Sequence, residues 1–233
     1  MKASPEMMRY FEDLARGIRR AYEVAGRARS RGLDPEPSVE IPEAGDMAQR
    51  VEELVGPPGV AKVIRELLEK LKQKERVAFR IAEMIVEGKL GGGEGREKLA
   101  EQALRTALAI LTEGVVVAPL EGITEVKIKE NKDRTNYLAV YYASPIRAAG
   151  GTPAALSVLV ADFIRRRLFL SPYKPTDQEV ERYVEEVELY KSYVAPGQYM
   201  PSSEEIRKYV WNLPVEVTGE ATEDIEVSSF RNL

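Results

Sequence analysis

A glycine pair between a predicted strand and a predicted helix is the part of this sequence best suited to bind an anion. The segment Ser144–Pro153 leaves a β-rich run, passes Gly150 and Gly151, and enters a helix with Thr152 at the N-cap. Exposed amides at the start of a helix and the helix dipole favour a phosphate or carboxylate, and glycines let the backbone approach closely. Arg147 can add a bidentate contact to the same anion. The alternative is an ordinary turn, because Thr-Pro is a common way to start a helix.

Three consecutive arginines end the same predicted helix. They can contact a second phosphate, or they can complement the negative end of the helix dipole. The candidate residues for binding phosphate are Arg147, Gly150, Gly151, Thr152, Arg165, Arg166 and Arg167.

Composition excludes several kinds of catalytic site. The 233 residues contain no Cys and no His, which removes a thiolate nucleophile, an imidazole base and any metal site built on those ligands. Glu181, Glu185 and Glu188 recur at helical spacing in an acidic segment and offer oxygen ligands. Such carboxylates can hold Mg²⁺ or transfer protons, but on an exposed face they are more often solvated or paired with bases. We therefore predict no catalytic residue and no metal ligand within this chain.

Charge and hydropathy are typical of a folded, soluble protein. Apolar residues make up 44% of the chain and charged residues 31%, as in ordinary globular proteins. The net charge of −4 argues against a uniformly basic surface, although residues 1–31 carry a local excess of base. Those charges also argue against a signal peptide, and no apolar run approaches the roughly 18 residues of a membrane span. We expect a cytoplasmic protein.

A long amphipathic helix over residues 5–30 is the first of the predicted elements. Its apolar residues alternate spacings of four and three over nearly three heptads, the pattern of a coiled-coil seam. Such a seam must meet an apolar surface, either the core of this chain or a partner helix. The Pro-rich connector that follows favours the partner, because it separates the helix from the rest of the chain. The candidate assembly residues are Met7, Phe11, Leu14, Ile18, Ala21 and Ala25.

The rest of the chain changes character near residue 115. Capping residues, helical periodicity and glycine-rich breaks predict helices between Asp46 and Gly114, with one broken helix or two consecutive helices over 60–88. Beyond residue 115, period-two alternation and β-rich composition predict a hairpin. Its strands cover residues 124–129 and 136–142. The predicted fold class is α+β, with a helical amino-terminal half followed by a mixed half that holds a small antiparallel sheet.

Further helices and strands follow the predicted hairpin. Helices are predicted over residues 153–168, 176–193 and 202–212, and strands at Val215–Val217 and, as an option, Ile225–Ser228. Thr176 with Glu179 and Ser202 with Glu205 form capping boxes that set the starts of the last two helices. The predicted domains are an assembly helix over 1–31, a connector over 32–45, a helical domain over 46–114 and an α+β domain over 115–233.

Four long strings of residues are the most specific signal in the sequence: Asp46–Val60, Glu101–Val115, Tyr141–Thr152 and Val217–Ser228. Together they resemble the amino-terminal region of the large subunit of archaeal family D DNA polymerase. They occur in the family's order over nearly the whole chain, which is far more specific than any short motif.

The resemblance implies a template-directed DNA polymerase that works as a heterodimer with a small subunit carrying a 3′–5′ exonuclease. It also implies that the polymerase aspartates, the cysteine zinc modules and the Mg²⁺ of the full-length subunit belong downstream of Leu233. We therefore expect a longer protein and no activity from this chain alone. The family's amino-terminal region is associated with assembly and DNA binding. On that basis residues 1–31 would dock a partner subunit or a second copy, and the candidate phosphate-binding residues would contact DNA.

One alternative comes from a different class of protein. A stand-alone phosphate-binding or nucleotide-processing enzyme could use the Gly150–Gly151 turn to hold its substrate. The sequence offers this enzyme no recognisable base, nucleophile or metal cluster, so the polymerase interpretation is the stronger of the two.

Overall fold

The computed structural model describes residues 4–36, 43–92, 95–113, 117–148, 151–194, 196–197 and 199–219. The chain divides into two compact units, Met1–Pro42 and Glu43–Leu233. The described helices are α1 (Pro5–Ser30), α2 (Met47–Leu54), α3 (Val60–Leu71), α4 (Lys74–Val86), α5 (Arg96–Thr112), α6 (Val117–Leu120), α7 (Pro145–Ala148), α8 (Gly151–Arg167), α9 (Asp177–Tyr193) and α10 (Ser203–Val210). The described strands are β1 (Ile123–Glu130), β2 (Asn136–Tyr142) and β3 (Glu216–Thr218).

Helix α1 is the main element of the first unit and has the predicted bounds. The Ser4 hydroxyl accepts a hydrogen bond from the Met7 amide at 3.2 Å, and Pro5 occupies the first turn, where its missing amide costs nothing. Arg27 and Arg29 lie in the last turn, where they complement the helix dipole. No side chain of α1 is buried.

Helices α2 to α5 begin the second unit. Asp46 caps α2 by accepting from the Gln49 amide at 2.8 Å, while the Gln49 side chain accepts from the amide of Gly45 at 3.0 Å. The region over 60–88 forms two consecutive helices, because Lys72 takes a left-handed conformation with φ of 55° between them. The predicted stop at Gly114 lies outside the described residues.

The sheet is mixed, because its third strand runs parallel to its second. β1 and β2 pair antiparallel with Val126 opposite Val140, as the hairpin prediction requires. β3 pairs parallel to β2, with Val217 opposite Val140. A parallel pair needs a long crossover connection, and the four helices between the two strands supply it. The predicted α+β class is confirmed, with this one strand direction corrected. The optional strand at Ile225–Ser228 lies outside the described residues.

A single hydrophobic core crosses the predicted boundary between residues 46–114 and 115–233. α5 packs against α4, α8 and β1. Ile81, Leu108 and Ile164 are fully buried in the same cluster. That boundary therefore does not separate two compact units. Among the helices described, none is long and apolar enough to cross a membrane.

Candidate nucleic-acid interface

The predicted anion site at the start of α8 is only partly within the described residues. The helix begins at Gly151. Thr152 therefore lies in its first turn and does not occupy the N-cap position that was predicted for it. The short helix α7 stands between β2 and α8, where the sequence predicted a direct turn. Gly150 and the side chain of Arg147 lie outside the described residues. Gly151 and Thr152 are exposed, and a Cβ at Gly151 would meet no atom within 4 Å, so a ligand could approach this backbone.

Arg165 is buried and serves the fold, which corrects its prediction as a phosphate-binding residue. Its side chain donates from Nε and Nη2 to Asp162 Oδ1 at 2.9 and 2.7 Å. Nη1 donates to the carbonyl oxygen of Leu170 at 2.7 Å, beyond the end of the helix. Only 8% of Arg165 is exposed, so the guanidinium is enclosed and a DNA phosphate cannot reach it. Arg165 braces the carboxyl end of α8.

The carboxyl end of α8 is a Schellman motif with an aromatic residue at its left-handed position. The Leu170 amide donates to the Arg165 carbonyl and the Phe169 amide to the Arg166 carbonyl, both at 3.1 Å. Phe169 has φ of 55°, a conformation that usually calls for glycine. Phe169 is 96% exposed to solvent. Phe169 was not among the residues predicted from the sequence, although an apolar residue directly after the arginine run and Leu168 was the available signal.

Arg166 and Arg167 lie on the surface, as a phosphate contact requires. Their side chains are 69% and 48% exposed. Arg166 pairs with Asp162 Oδ2 at 2.5 Å, and Arg167 pairs with Glu83 Oε1 on α4 at 3.0 Å. The arginine of each pair is exposed while its carboxylate is only 11% or 13% exposed, so each arginine can meet a phosphate on its solvent-facing side.

Residues of and just after α4 extend this charged region. Lys89 donates to Glu87 at 2.5 Å, and this hydrogen bond lowers the pKa of Glu87, with the charges of Arg80 and Arg167 adding to the effect. These three cations therefore act on one carboxylate and share one surface. Arg96, at the start of α5, donates to the carbonyl of Leu168. We call the whole set the α4–α8 surface: Arg80, Glu83, Glu87, Lys89, Arg96, Asp162, Arg166 and Arg167.

The α4–α8 surface is basic in a chain that is acidic. It holds five cations against three carboxylates, an excess of two positive charges, whereas the whole chain has a net charge of −4. Asp162 serves two arginines at once, so neither has a carboxylate to itself. A surface with this balance attracts a polyanion, and the attraction weakens as salt is added.

Two acidic residues of α9, Glu181 and Glu188, bond to side chains of α10. Glu181 accepts two hydrogen bonds from Arg207 of α10 at 2.6 and 2.8 Å, and this contact lowers the pKa of Glu181. Glu188 accepts from the Ser203 hydroxyl at 2.6 Å, while Glu185 is a partly buried member of the same helix. In the part of the chain that the structure describes, no three acidic side chains converge on a possible metal position.

Almost the whole chain matches one family of known proteins. Residues 9–233 match the family described as DNA polymerase II large subunit DP2, N-terminal, and the chain belongs to that family. The resemblance to the archaeal polymerase subunit is thus confirmed.

Individual relatives agree over almost all of the chain. The DNA polymerase II large subunit of Pyrococcus furiosus is 58% identical over 230 residues, which are 98% of this chain and 18% of that protein. That of Methanothermobacter thermautotrophicus is 58% identical over 224 residues, 95% of this chain and 20% of that protein. That of Methanococcus vannielii is 54% identical over 233 residues, all of this chain and 20% of that protein. The chain spans about a fifth of the length of these relatives.

Proposed function

We propose that this chain is the amino-terminal part of the large subunit of a DNA-directed DNA polymerase, and that it serves DNA binding and subunit assembly. The observation that carries the proposal is the 54 to 58% identity, over 95% or more of the chain, to proteins named DNA polymerase II large subunit. Polymerisation, Mg²⁺ and a small subunit with 3′–5′ exonuclease activity belong, in this proposal, to the whole protein. The segment itself contributes binding without chemistry.

The DNA-binding role assigns the α4–α8 surface to the phosphate backbone. Arg166 and Arg167 are exposed and can each contact a phosphate on their solvent-facing side. Gly151 and Thr152 add an exposed helix start that suits one further phosphate. These contacts depend on the charge of the phosphates and involve no base edge, so the binding is independent of DNA sequence.

The assembly role assigns the seam of α1 to a partner helix. Met7, Phe11, Leu14 and Ile18 are between 41% and 55% exposed along one face of a 26-residue helix. Covering apolar side chains of this size contributes about 1.5–3 kcal/mol each when burial is complete. The partner is the small subunit or a second copy of this chain, and the smaller Ala21 and Ala25 would let a helix approach closely at the carboxyl end of the seam.

The DNA-binding role is tested on the purified chain by fluorescence anisotropy with unrelated DNA sequences at several salt concentrations. We expect binding whose logarithm falls linearly with the logarithm of salt, and no primer extension. The double variant Arg166→Ala/Arg167→Ala should weaken binding and flatten that line by about 0.9 per lost phosphate contact. Arg207→Ala/Lys208→Ala removes two exposed cations from α10 and is the matched control. An unchanged slope in the first variant contradicts the assignment, and extension by the chain alone contradicts the absence of chemistry.

The assembly role is tested by size-exclusion chromatography with light scattering, on the chain alone and with the small subunit. Deleting residues 1–31, or replacing Phe11 and Ile18 with Ser, should lower the observed mass of the assembly. Glu12→Ala/Arg19→Ala leaves the seam intact and should not change the mass. Assemblies of equal mass in all variants would remove α1 from this role.

A further inference from the structure

Phe169 combines three properties that a core residue or an ordinary surface residue lacks: near-complete exposure, a strained backbone and cationic neighbours. We infer that its ring is a stacking platform for an unpaired base, so that the α4–α8 surface takes single-stranded DNA. This inference rests on the proposed DNA-binding function and names the form of DNA that the surface prefers.

The ring of Phe169 has no partner within the described part of the protein. It is 96% exposed, whereas Leu168 and Leu170 on either side are each 7% exposed and belong to the core. A phenyl ring left in water is a large apolar surface that gains free energy when a flat apolar group covers it. Every nucleic-acid base has such a face.

The backbone under Phe169 is fixed in place on both sides. Arg165 holds the carbonyl of Leu170, Arg96 holds the carbonyl of Leu168, and the two Schellman hydrogen bonds close the turn. The turn keeps a non-glycine residue at φ of 55° because these contacts outweigh its preference for other conformations. The ring is therefore presented from a rigid base, which lowers the entropy lost on binding.

The cations next to Phe169 distinguish a nucleic acid from an apolar protein partner. Arg166 and Arg167 precede the ring by three and two residues, and their side chains are 69% and 48% exposed. Arg167 also lies over the ring of Phe163, 5.0 Å from its centroid, and Phe163 packs edge to face on Phe79 at 5.0 Å. An apolar partner would have to desolvate these charges, whereas a nucleic acid offers a base to the ring and phosphates to the arginines.

A single strand fits this arrangement better than a closed duplex does. The bases of a duplex are stacked on each other, and a protruding ring reaches one only after unstacking it at a cost in free energy. In a single strand the base faces are free, and aromatic stacking next to a basic surface is the usual way proteins bind it.

The test compares a short deoxythymidine oligomer with an abasic deoxyribose-phosphate oligomer of the same length, by anisotropy with the purified chain. Phe169→Gly keeps the left-handed turn and removes the ring. We expect it to bind the deoxythymidine oligomer about 5- to 100-fold more weakly, the loss associated with one base–aromatic stack, and to bind the abasic oligomer as before. Phe169→Asn, whose side chain also tolerates the left-handed conformation, should behave alike, and Phe169→Tyr should retain binding. Tyr199→Ala removes another exposed aromatic ring and is the matched control.

A fluorescence measurement reports stacking directly. The chain contains one Trp, Trp211, so Phe169→Trp/Trp211→Phe places a single reporter at the proposed platform. The deoxythymidine oligomer should quench this reporter and the abasic oligomer should not. Equal binding of the deoxythymidine oligomer by Phe169→Gly and the unchanged chain would overturn the inference, as would equal quenching by both oligomers.

The same measurements separate failure of this inference from failure of the proposed function. If Arg166→Ala/Arg167→Ala weakens binding of both oligomers while Phe169→Gly weakens neither, DNA binding stands and the stacking platform is wrong. If neither oligomer binds at low salt, the proposed DNA-binding role is wrong, and the stacking platform, which depends on that role, is wrong too.

Discussion

The phenolic hydroxyl of Tyr137 on β2 donates a 2.8 Å hydrogen bond to the carboxylate of Glu216 on the parallel strand β3. Glu216 is fully buried, and its oxygens also lie 3.1 Å from Lys129 Nζ and 3.5 Å from Arg182 Nη2. Burial raises the pKa of Tyr137 well above its ordinary value, and the neighbouring negative charge of Glu216 raises it further. The hydroxyl therefore stays protonated and keeps the short strand β3 attached to the sheet.

Replacing Glu216 with Ala should lower the free energy of unfolding by about 3–5 kcal/mol, because two partly buried cations lose their carboxylate. Tyr137→Phe removes one hydrogen bond to a charged acceptor and should cost about 1.5–3 kcal/mol. Urea unfolding followed by circular dichroism measures both. Glu125→Ala, in a half-exposed pair with Lys127, is the control and should stay within about 0.5 kcal/mol. A Glu216 variant as stable as this control would contradict the prediction.

Arg165→Ala and Arg166→Ala should differ sharply although the residues are adjacent. Arg165→Ala leaves buried Asp162 and the Leu170 carbonyl without their main donor and should cost about 3 kcal/mol. Arg166 is 69% exposed at its side chain, so Arg166→Ala should cost no more than about 1 kcal/mol. Thermal and urea unfolding of the two variants provide the comparison. The reverse ranking would show that Arg165 does not brace the helix end.

Asp46→Asn should reduce the dependence of stability on pH in acid. The Asp46 carboxylate accepts from Arg65 Nε at 2.7 Å and Nη2 at 3.0 Å, and this contact, helped by the Gln49 amide, lowers its pKa from 3.8 to about 2. A lowered pKa in the folded state stabilises the protein above the unfolded value, and this contribution is lost as pH falls through the folded value. Asn keeps an oxygen for the helix cap but has no charge.

The measurement for Asp46→Asn is urea unfolding at several pH values between about 4 and 2, the window set by the two pKa values. The free energy of unfolding should fall less steeply with decreasing pH in the variant than in the unchanged chain. Equal slopes would mean that the Arg65 contact does not persist in solution.

Gly122→Ala should destabilise the junction between α6, α7 and β1. A Cβ there would lie 2.7 Å from the carbonyl oxygen of Ala118 and 3.1 Å from the Cα of Ile146, and both contacts are with backbone that cannot rotate away. Overpacking of this kind costs about 1–3 kcal/mol. Gly151→Ala is the matched control, because its Cβ meets no atom within 4 Å and should leave stability unchanged or slightly higher. Equal melting temperatures for the two variants would contradict the prediction.

Elements with strong local signals were predictable from the sequence. Both capping boxes, Thr176 with Glu179 and Ser202 with Glu205, form as predicted, and α9 ends at Tyr193. The hairpin was predictable for the same reason, since alternation and turn residues are local properties. The family was recognisable because long strings of residues agree in order.

Features that depend on distant partners were not predictable in the same way. The parallel direction of β3 depends on where four helices return the chain, which no local pattern records. The two four-residue helices α6 and α7 are too short to show periodicity. The burial of Arg165 could have been predicted from the spacing of residues along α8. Successive residues of a helix point about 100° apart, and Arg165 lies four and eight residues after buried Ala161 and Ser157.

The shared core that joins α5 to both α8 and β1 has a thermodynamic consequence. Neither the helices before residue 114 nor the sheet after it can separate without exposing a buried face of α5, which carries Leu104, Leu108 and Ile110. The helices α2–α5 and α8 and the strands β1 and β2, which share this core, are therefore expected to melt as one cooperative unit. Calorimetry should show a single transition for this unit, with equal calorimetric and van't Hoff enthalpies.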